Sequence, residues 1–191
     1  MTTGRLRVMW NRLQILNSRT RYGAVSKVLH WSIAALMIGL VWLGWWMVGL
    51  DYYDSRYSPA FLLHQSFGMT VFGLAVILVL WKRFSRSPSL QPEIPAWQRL
   101  AASVMHGLLL LMMILLPVSG FILTTSAGSG VDLFGLWTVP AVMSVSESVR
   151  NLADAAHYWA SYGLLLLVAV HAGAAFKHQW IDGHGTLRRM L

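Results

Sequence analysis

The sequence predicts an all-α integral membrane protein, a four-helix bundle with both termini in the cytoplasm. Three observations support this prediction. The chain of 191 residues is 56% hydrophobic and only 12% charged, about half the charged share of a soluble protein. Four apolar segments are each long enough to cross a bilayer as a helix. The basic residues collect in alternate connecting segments, as they do in membrane proteins of fixed orientation.

The four apolar segments contain no Asp, Glu, Lys or Arg. They span about residues 28–50, 61–81, 100–124 and 155–176. A bilayer core about 30 Å thick requires roughly 20 such residues in a helix, because no water is present there to satisfy unpaired backbone groups. We therefore expect one membrane domain over residues 22–191, preceded by a basic cytoplasmic leader at residues 1–21.

The connection between the third and fourth spans is long enough to suggest a function of its own. It runs from Thr125 to Asp154, and its first half contains the apolar sequence LFGLWTVP. Its second half, Met143 to Leu152, is either a short helix on the membrane surface or loop. The weak periodicity of SVSESV leaves both interpretations open.

The basic residues give the orientation. All but two of the 15 lie in the N-terminal segment, the connection after span two and the C-terminal segment. The exceptions, Arg56 and Arg150, lie in connections that hold five of the seven acidic residues. The positive-inside rule therefore places both termini in the cytoplasm. Topology and anionic lipid explain the net charge of +8, so no nucleic-acid partner is expected.

Histidine is the only residue type that suits a transition metal here. The chain contains no cysteine, which excludes disulfides, iron–sulfur clusters, thiolate zinc sites and covalently attached c-type haem. Five of the seven histidines lie inside the spans: His30, His64, His106, His157 and His171. A helix-to-helix hydrogen bond explains a single histidine in a span. Five together favour a functional site, because ionisable side chains are costly in a membrane.

The depths of these histidines suggest pairs. His157 and His171 are 14 residues apart, which is about 21 Å along one helix face. His64 matches His157 in depth, and His30 matches His171. Paired imidazoles at two levels of a bundle suit two haems b, whereas zinc normally takes three protein ligands around one point. His106 lies at a depth similar to that of His30, so depth alone does not choose the inner pair.

Small and basic residues near these histidines allow two interpretations each. The small residues leave room for a flat macrocycle or let helices pack closely; they are Gly68, Gly163 and residues 172–175. The cations contact haem propionates or extend to the membrane surface on their own; they are Lys27, Arg56, Lys82 and Arg150.

Several motifs, taken in order, resemble the bacterial cytochrome b561 family of four-helix dihaem membrane proteins. They are HW at His30, HQSFG from His64, HGLLLLMMILLPVSG from His106, LFGLWTVP in the long connection, and H-x13-HAGAAFKH from His157 to His178. The resemblance covers roughly residues 22–190. It implies that His30 and His171 hold an inner haem b, and that His64 and His157 hold an outer one.

The resemblance also implies a location and a reaction. The protein would lie in the bacterial inner membrane and pass electrons from the outer haem to the inner haem and then to ubiquinone. His106 and His178 would lie near the quinone. Members of this family resemble a superoxide oxidase, which suggests superoxide as the donor at the periplasmic face.

Two other classes of protein remain open. An electron-transfer anchor subunit would serve a periplasmic redox partner, with the apolar connection from Thr125 to Ala153 as its docking surface; the same connection could instead form a lid over the outer haem. A haem-free structural membrane protein would leave the histidine spacing unexplained.

Overall fold

The computed structural model describes residues 14–89, 94–142 and 144–191. Its four long helices are α1 (Ala24–Val48), α2 (Tyr57–Phe84), α3 (Ala96–Thr125) and α4 (Glu147–Phe176). A hairpin of strands β1 (Val131–Leu133) and β2 (Trp137–Val139) lies between α3 and α4. A π-helical turn, Lys177–Ile181, and a 3-10 turn, Leu187–Arg189, follow α4.

The prediction of a four-helix membrane protein is confirmed, since all four helices are long and apolar enough to cross a bilayer. Each helix begins before its predicted span, because helical hydrogen bonding continues through polar residues at the membrane surface. The start of α4 settles the alternatives for the long connection. Residues 147–152 form the beginning of α4, and Ser146 caps it by accepting a hydrogen bond from the Val149 amide. Met143 lies outside the described residues.

The helices pack in chain order around a core near the middle of the bundle. Each of α1, α2 and α3 packs closely against the next helix. The core residues come from all four helices: Ile33, Met37, Val71, Ala75, Met113 and Leu164. The outward faces are also apolar, with Trp42, Val76 and Leu166 exposed. Lipid suits such faces, because a helix in a bilayer needs no polar side.

Arg189 joins three segments at one end of the bundle. Its guanidinium donates to the Thr20 carbonyl at 2.9 Å and to the Ser89 carbonyl at 2.8 Å. Asn17 donates from its backbone amide to Ser85 Oγ at 3.0 Å and from Nδ2 to the Ser85 carbonyl at 3.2 Å. The N-terminal segment, the connection after α2 and the C-terminal segment therefore meet. These are the segments whose positive charge places them on the cytoplasmic side.

The β-hairpin lies at the opposite end and is anchored to α2. Gln65 donates from Nε2 to the Asp132 carbonyl at 3.0 Å, and Ser66 Oγ accepts the Phe134 amide at 2.9 Å. Phe134 has a φ of 56°, a left-handed conformation that is uncommon outside glycine. The contact with Ser66 therefore holds a turn that the chain does not favour by itself.

Replacing Ser66 with alanine should loosen this hairpin. Ser66 is fully buried, and its loss leaves the Phe134 amide without its acceptor, at a cost of about 1 kcal/mol. We expect a lower unfolding temperature in detergent and faster protease cleavage between residues 131 and 139. Ser161→Ala is the matched control, because among the described residues that hydroxyl bonds only the carbonyl of Tyr158 in its own helix. Equal cleavage rates in both variants would contradict the anchoring role.

Candidate functional site

Histidine rings from different helices meet at two levels of the bundle. At the outer level, His64 of α2 and His157 of α4 have ring centroids 6.1 Å apart, with planes at 66°. At the inner level, His30 of α1 and His171 of α4 are 6.2 Å apart, with planes at 55°. His106 of α3 joins the inner level, with its ring centroid 5.4 Å from that of His171.

These separations can be compared with those of a metal held between two imidazoles. The metal lies about 2 Å from each coordinating nitrogen, and each nitrogen lies about 1 Å from its ring centroid, so opposed rings are about 6 Å apart. The pairs His64–His157 and His30–His171 both match this distance. The separation of His106 from His171 is shorter than this value. Of the two rings near His171, that of His30 is therefore the one whose separation matches this value.

The spacing of the helices leaves room between the paired rings. Within the described residues, α4 packs closely along α3, but neither α1 nor α2 makes comparably close backbone contact with α4. Both histidine pairs bridge these wider gaps. A side-chain carbon added at Gly68 or Gly163 would have no neighbour within 4 Å. The structure therefore shows no close helix packing at these two glycines.

Residues of α3 orient the ring of His157. Its Nδ1 lies 3.0 Å from the Leu116 carbonyl oxygen and 3.0 Å from Ser119 Oγ. Ser119 also donates to the Leu116 carbonyl at 2.9 Å. With Nδ1–H as the donor, the Nε2 lone pair is available to a metal, as in most metal-binding histidines.

Steric contact positions the ring of His64. Its Nδ1 is buried and has no hydrogen-bond partner among the described residues. The ring lies against Gly44 of α1, where an added Cβ would be 3.1 Å from His64 Cε1. Gly120 of α3 contacts His157 in the same way, at 3.2 Å from Cε1. Sequence reasoning missed Gly44 and Gly120, because each belongs to a different helix from the histidine that it contacts.

The two outer cations differ in their surroundings. Arg56 forms a two-point ion pair with Asp54, with Nε–Oδ1 at 2.9 Å and Nη2–Oδ2 at 2.6 Å. These hydrogen bonds lower the pKa of Asp54 to about 2, so the pair stays charged from about pH 4 upward. Arg150 is exposed in the first turn of α4 and forms no ion pair within the described part of the chain.

His178 lies beyond the end of α4. Its Nδ1 is 2.7 Å from Asp182 Oδ2, and its ring centroid is 5.8 Å from that of His184. The structure therefore places it in a separate cluster with these two residues.

The family model for prokaryotic cytochrome b561 matches residues 21–191. The chain belongs to the prokaryotic cytochrome b561 family. Cytochrome b561 homolog 2 of Escherichia coli (strain K12) is 36% identical over 179 residues, covering 94% of this chain and 95% of that protein. Cytochrome b561 homolog 1 of the same strain is 31% identical over 176 residues, covering 90% and 97%.

A third relative carries a more specific name. The protein called probable superoxide oxidase CybB, of Yersinia pestis, is 24% identical over 173 residues, covering 90% of this chain and 96% of that protein. Membership of the cytochrome b561 family makes this chain a multi-pass membrane protein of electron transfer, and it implies haem b. The paired imidazoles and the separation between their rings fit that group.

Replacing Gly44 with alanine should reduce haem retention at the outer level. The new methyl group would press on the His64 ring at 3.1 Å, which forces a shift of a few tenths of an ångström. We expect the purified variant to lose a measurable part of its haem, as determined from the pyridine haemochrome spectrum. Gly39→Ala in the same helix is the control, because its Cβ would have nothing within 4 Å. Full haem content in both variants would show that Gly44 does not position His64.

Proposed function

We propose that this cytochrome b561 carries electrons across the bacterial inner membrane with two haems b. His64 and His157 would hold the outer haem, and His30 and His171 the inner one. The observation that carries the proposal is the pair of ring separations near 6 Å at two levels, each across a widened gap between helices. The basic end that contains both described termini supports the orientation with the inner haem near the cytoplasm.

The role of the chain is to fix distance and direction. His157 and His171 lie on one face of α4, about 21 Å apart along its axis, so both levels are set by a single rigid element. The haems supply one-electron redox chemistry when bound. Apolar core residues between the levels, such as Met113 and Leu164, exclude water from the middle of the bundle.

Haem counting tests the ligand assignment. The purified protein should contain two haems b per chain, while His64→Ala and His171→Ala should each retain only one, because an iron loses one of its two axial nitrogens. His106→Ala is the matched control for the inner level and should retain both haems. Loss of a haem from His106→Ala, with retention in His30→Ala, would assign the inner pair to His106 and His171 instead.

We propose superoxide as the electron donor at the periplasmic end. The name of the Yersinia pestis relative supports this donor. Arg150 supports it physically, because it is exposed and has no carboxylate partner among the described residues, whereas Arg56 is neutralised by Asp54. An exposed cation raises the local concentration of a small anion and increases its association rate, in a way that salt suppresses.

We propose ubiquinone as the acceptor near the inner level. His106 supports this site, because it is exposed and its ring is 5.4 Å from that of His171. A histidine in this position can hydrogen-bond a quinone oxygen and transfer a proton to it. The resemblance also suggested His178 for the quinone pocket. Its contacts with Asp182 and His184 favour a different role.

Reduction of the isolated protein by superoxide tests both substrates. We expect rapid haem reduction from a superoxide-generating system, abolished by superoxide dismutase, followed by quinol formation. Arg150→Gln should slow haem reduction severalfold at low salt and less at high salt, while Arg56→Gln should have a smaller effect. His106→Ala should reduce quinol formation and leave haem reduction by superoxide unchanged. No haem reduction by superoxide in the wild-type protein would contradict the proposed donor.

An alternative function is an electron-transfer subunit for a periplasmic redox partner. The exposed turn of the hairpin favours it, since Leu136 is 88% exposed and Trp137 67% exposed. Apolar and aromatic residues of this kind are common at the centres of protein interfaces. Electron transfer to quinone only in the presence of a co-purifying periplasmic protein would support this alternative over superoxide oxidation.

A further inference from the structure

A second histidine cluster lies outside the two levels in the bundle. It consists of His178, Asp182 and His184, just after α4 at the basic end of the molecule. One ligand atom from each residue lies within 4.8 Å of the other two. All three residues are partly buried, so their side chains have less freedom than those of a solvated surface cluster.

Backbone hydrogen bonds close the turn that brings these residues together. The Asp182 amide donates to the Lys177 carbonyl at 3.0 Å, and the His184 amide donates to the His178 carbonyl at 2.9 Å. Gly183 lies between the last two members of the cluster and has a φ of 71°, which glycine adopts without steric cost. The arrangement therefore follows from the main chain as well as from the side chains.

The donor set is that of a borderline divalent metal. Two imidazoles and one carboxylate are typical ligands of Zn²⁺, which completes its tetrahedral coordination with water. Ca²⁺ and Mg²⁺ prefer oxygen ligands alone and fit less well. Asp182 Oδ2 is already 2.7 Å from His178 Nδ1, so a metal that replaced this proton would need only a small movement of either side chain.

We propose that His178, Asp182 and His184 form a zinc-binding site at the cytoplasmic end of α4. The ion would join the end of α4 to the segment that leads into the Leu187–Arg189 turn. Because Arg189 bonds the carbonyls of Thr20 and Ser89, zinc would stabilise the whole cytoplasmic end. Lys177 competes with the ion, since its Nζ contacts both Asp182 oxygens, at 2.8 and 2.7 Å.

Zinc titration of the haem-loaded, untagged full chain tests the proposal. Haem loading keeps the four proposed haem ligands from binding zinc, and the chain has no cysteine to compete. We expect one Zn²⁺ per chain by isothermal titration calorimetry and a rise in unfolding temperature. Asp182→Asn and His184→Gln should each weaken binding by about tenfold or more and abolish the thermal shift. Lys177→Gln should bind zinc at least as tightly as the wild type.

Glu147→Gln, which changes an exposed carboxylate at the other end of α4, is the control and should bind zinc like the wild type. An unchanged haem spectrum in every variant shows that the bundle is folded. Zinc-edge X-ray absorption should show two imidazoles in the wild-type complex. Absence of one-to-one binding, or equal affinity in the Asp182 and His184 variants, would overturn the proposal whether or not the chain oxidises superoxide.

Discussion

The structure depends on imidazole rings that lie inside a membrane bundle, where little water is available to hydrogen-bond them. A buried polar group needs a hydrogen-bond partner, because no water is available in a medium of low dielectric to replace a missing one. The rings lie in gaps beside α4 that backbone packing leaves wider than the contacts between successive helices. The core around Met113 and Leu164 is closely packed. The bundle thus has a closely packed core between two levels at which the helices are more widely spaced. The proposed haems would lie at these two levels.

The outer pair shows two ways of fixing a ligand. His157 is held by a hydrogen bond from Nδ1 to α3, which selects its tautomer and increases the basicity of Nε2. His64 has no such bond in the described structure and is held by contact with Gly44. His157 is therefore held both by hydrogen bonds and by contact with Gly120, whereas His64 is held by contact. Substitutions that remove the hydrogen bonds of His157 should change the redox potential of the proposed outer haem, whereas substitutions at either glycine should change haem retention.

Hydropathy and charge were sufficient to predict the helices, because lipid imposes a minimum length and excludes charge from the spans. They did not predict the helix ends, since helices such as α2 continue through Lys82 and Arg83 at the membrane surface. The hairpin was also missed, because strands of three residues are too short for an alternating pattern. Helix periodicity placed His157 and His171 on one face. It could not choose between His30 and His106, because that choice depends on how α1 and α3 are oriented relative to α4.

The hairpin connects the helix that carries His64 to the surface at which the proposed donors would act. Its anchors, Gln65 and Ser66, directly follow His64 in α2, so a movement of the hairpin is transmitted to the residues beside that ring. The same hairpin exposes Leu136 at its turn. The hairpin is anchored at its base and exposes an apolar turn. These features suit a cover over the outer histidine pair that limits which molecules can approach the pair. A small anion needs no contact with the hairpin, whereas a protein partner would have to bind it, and this difference separates the two proposed donors.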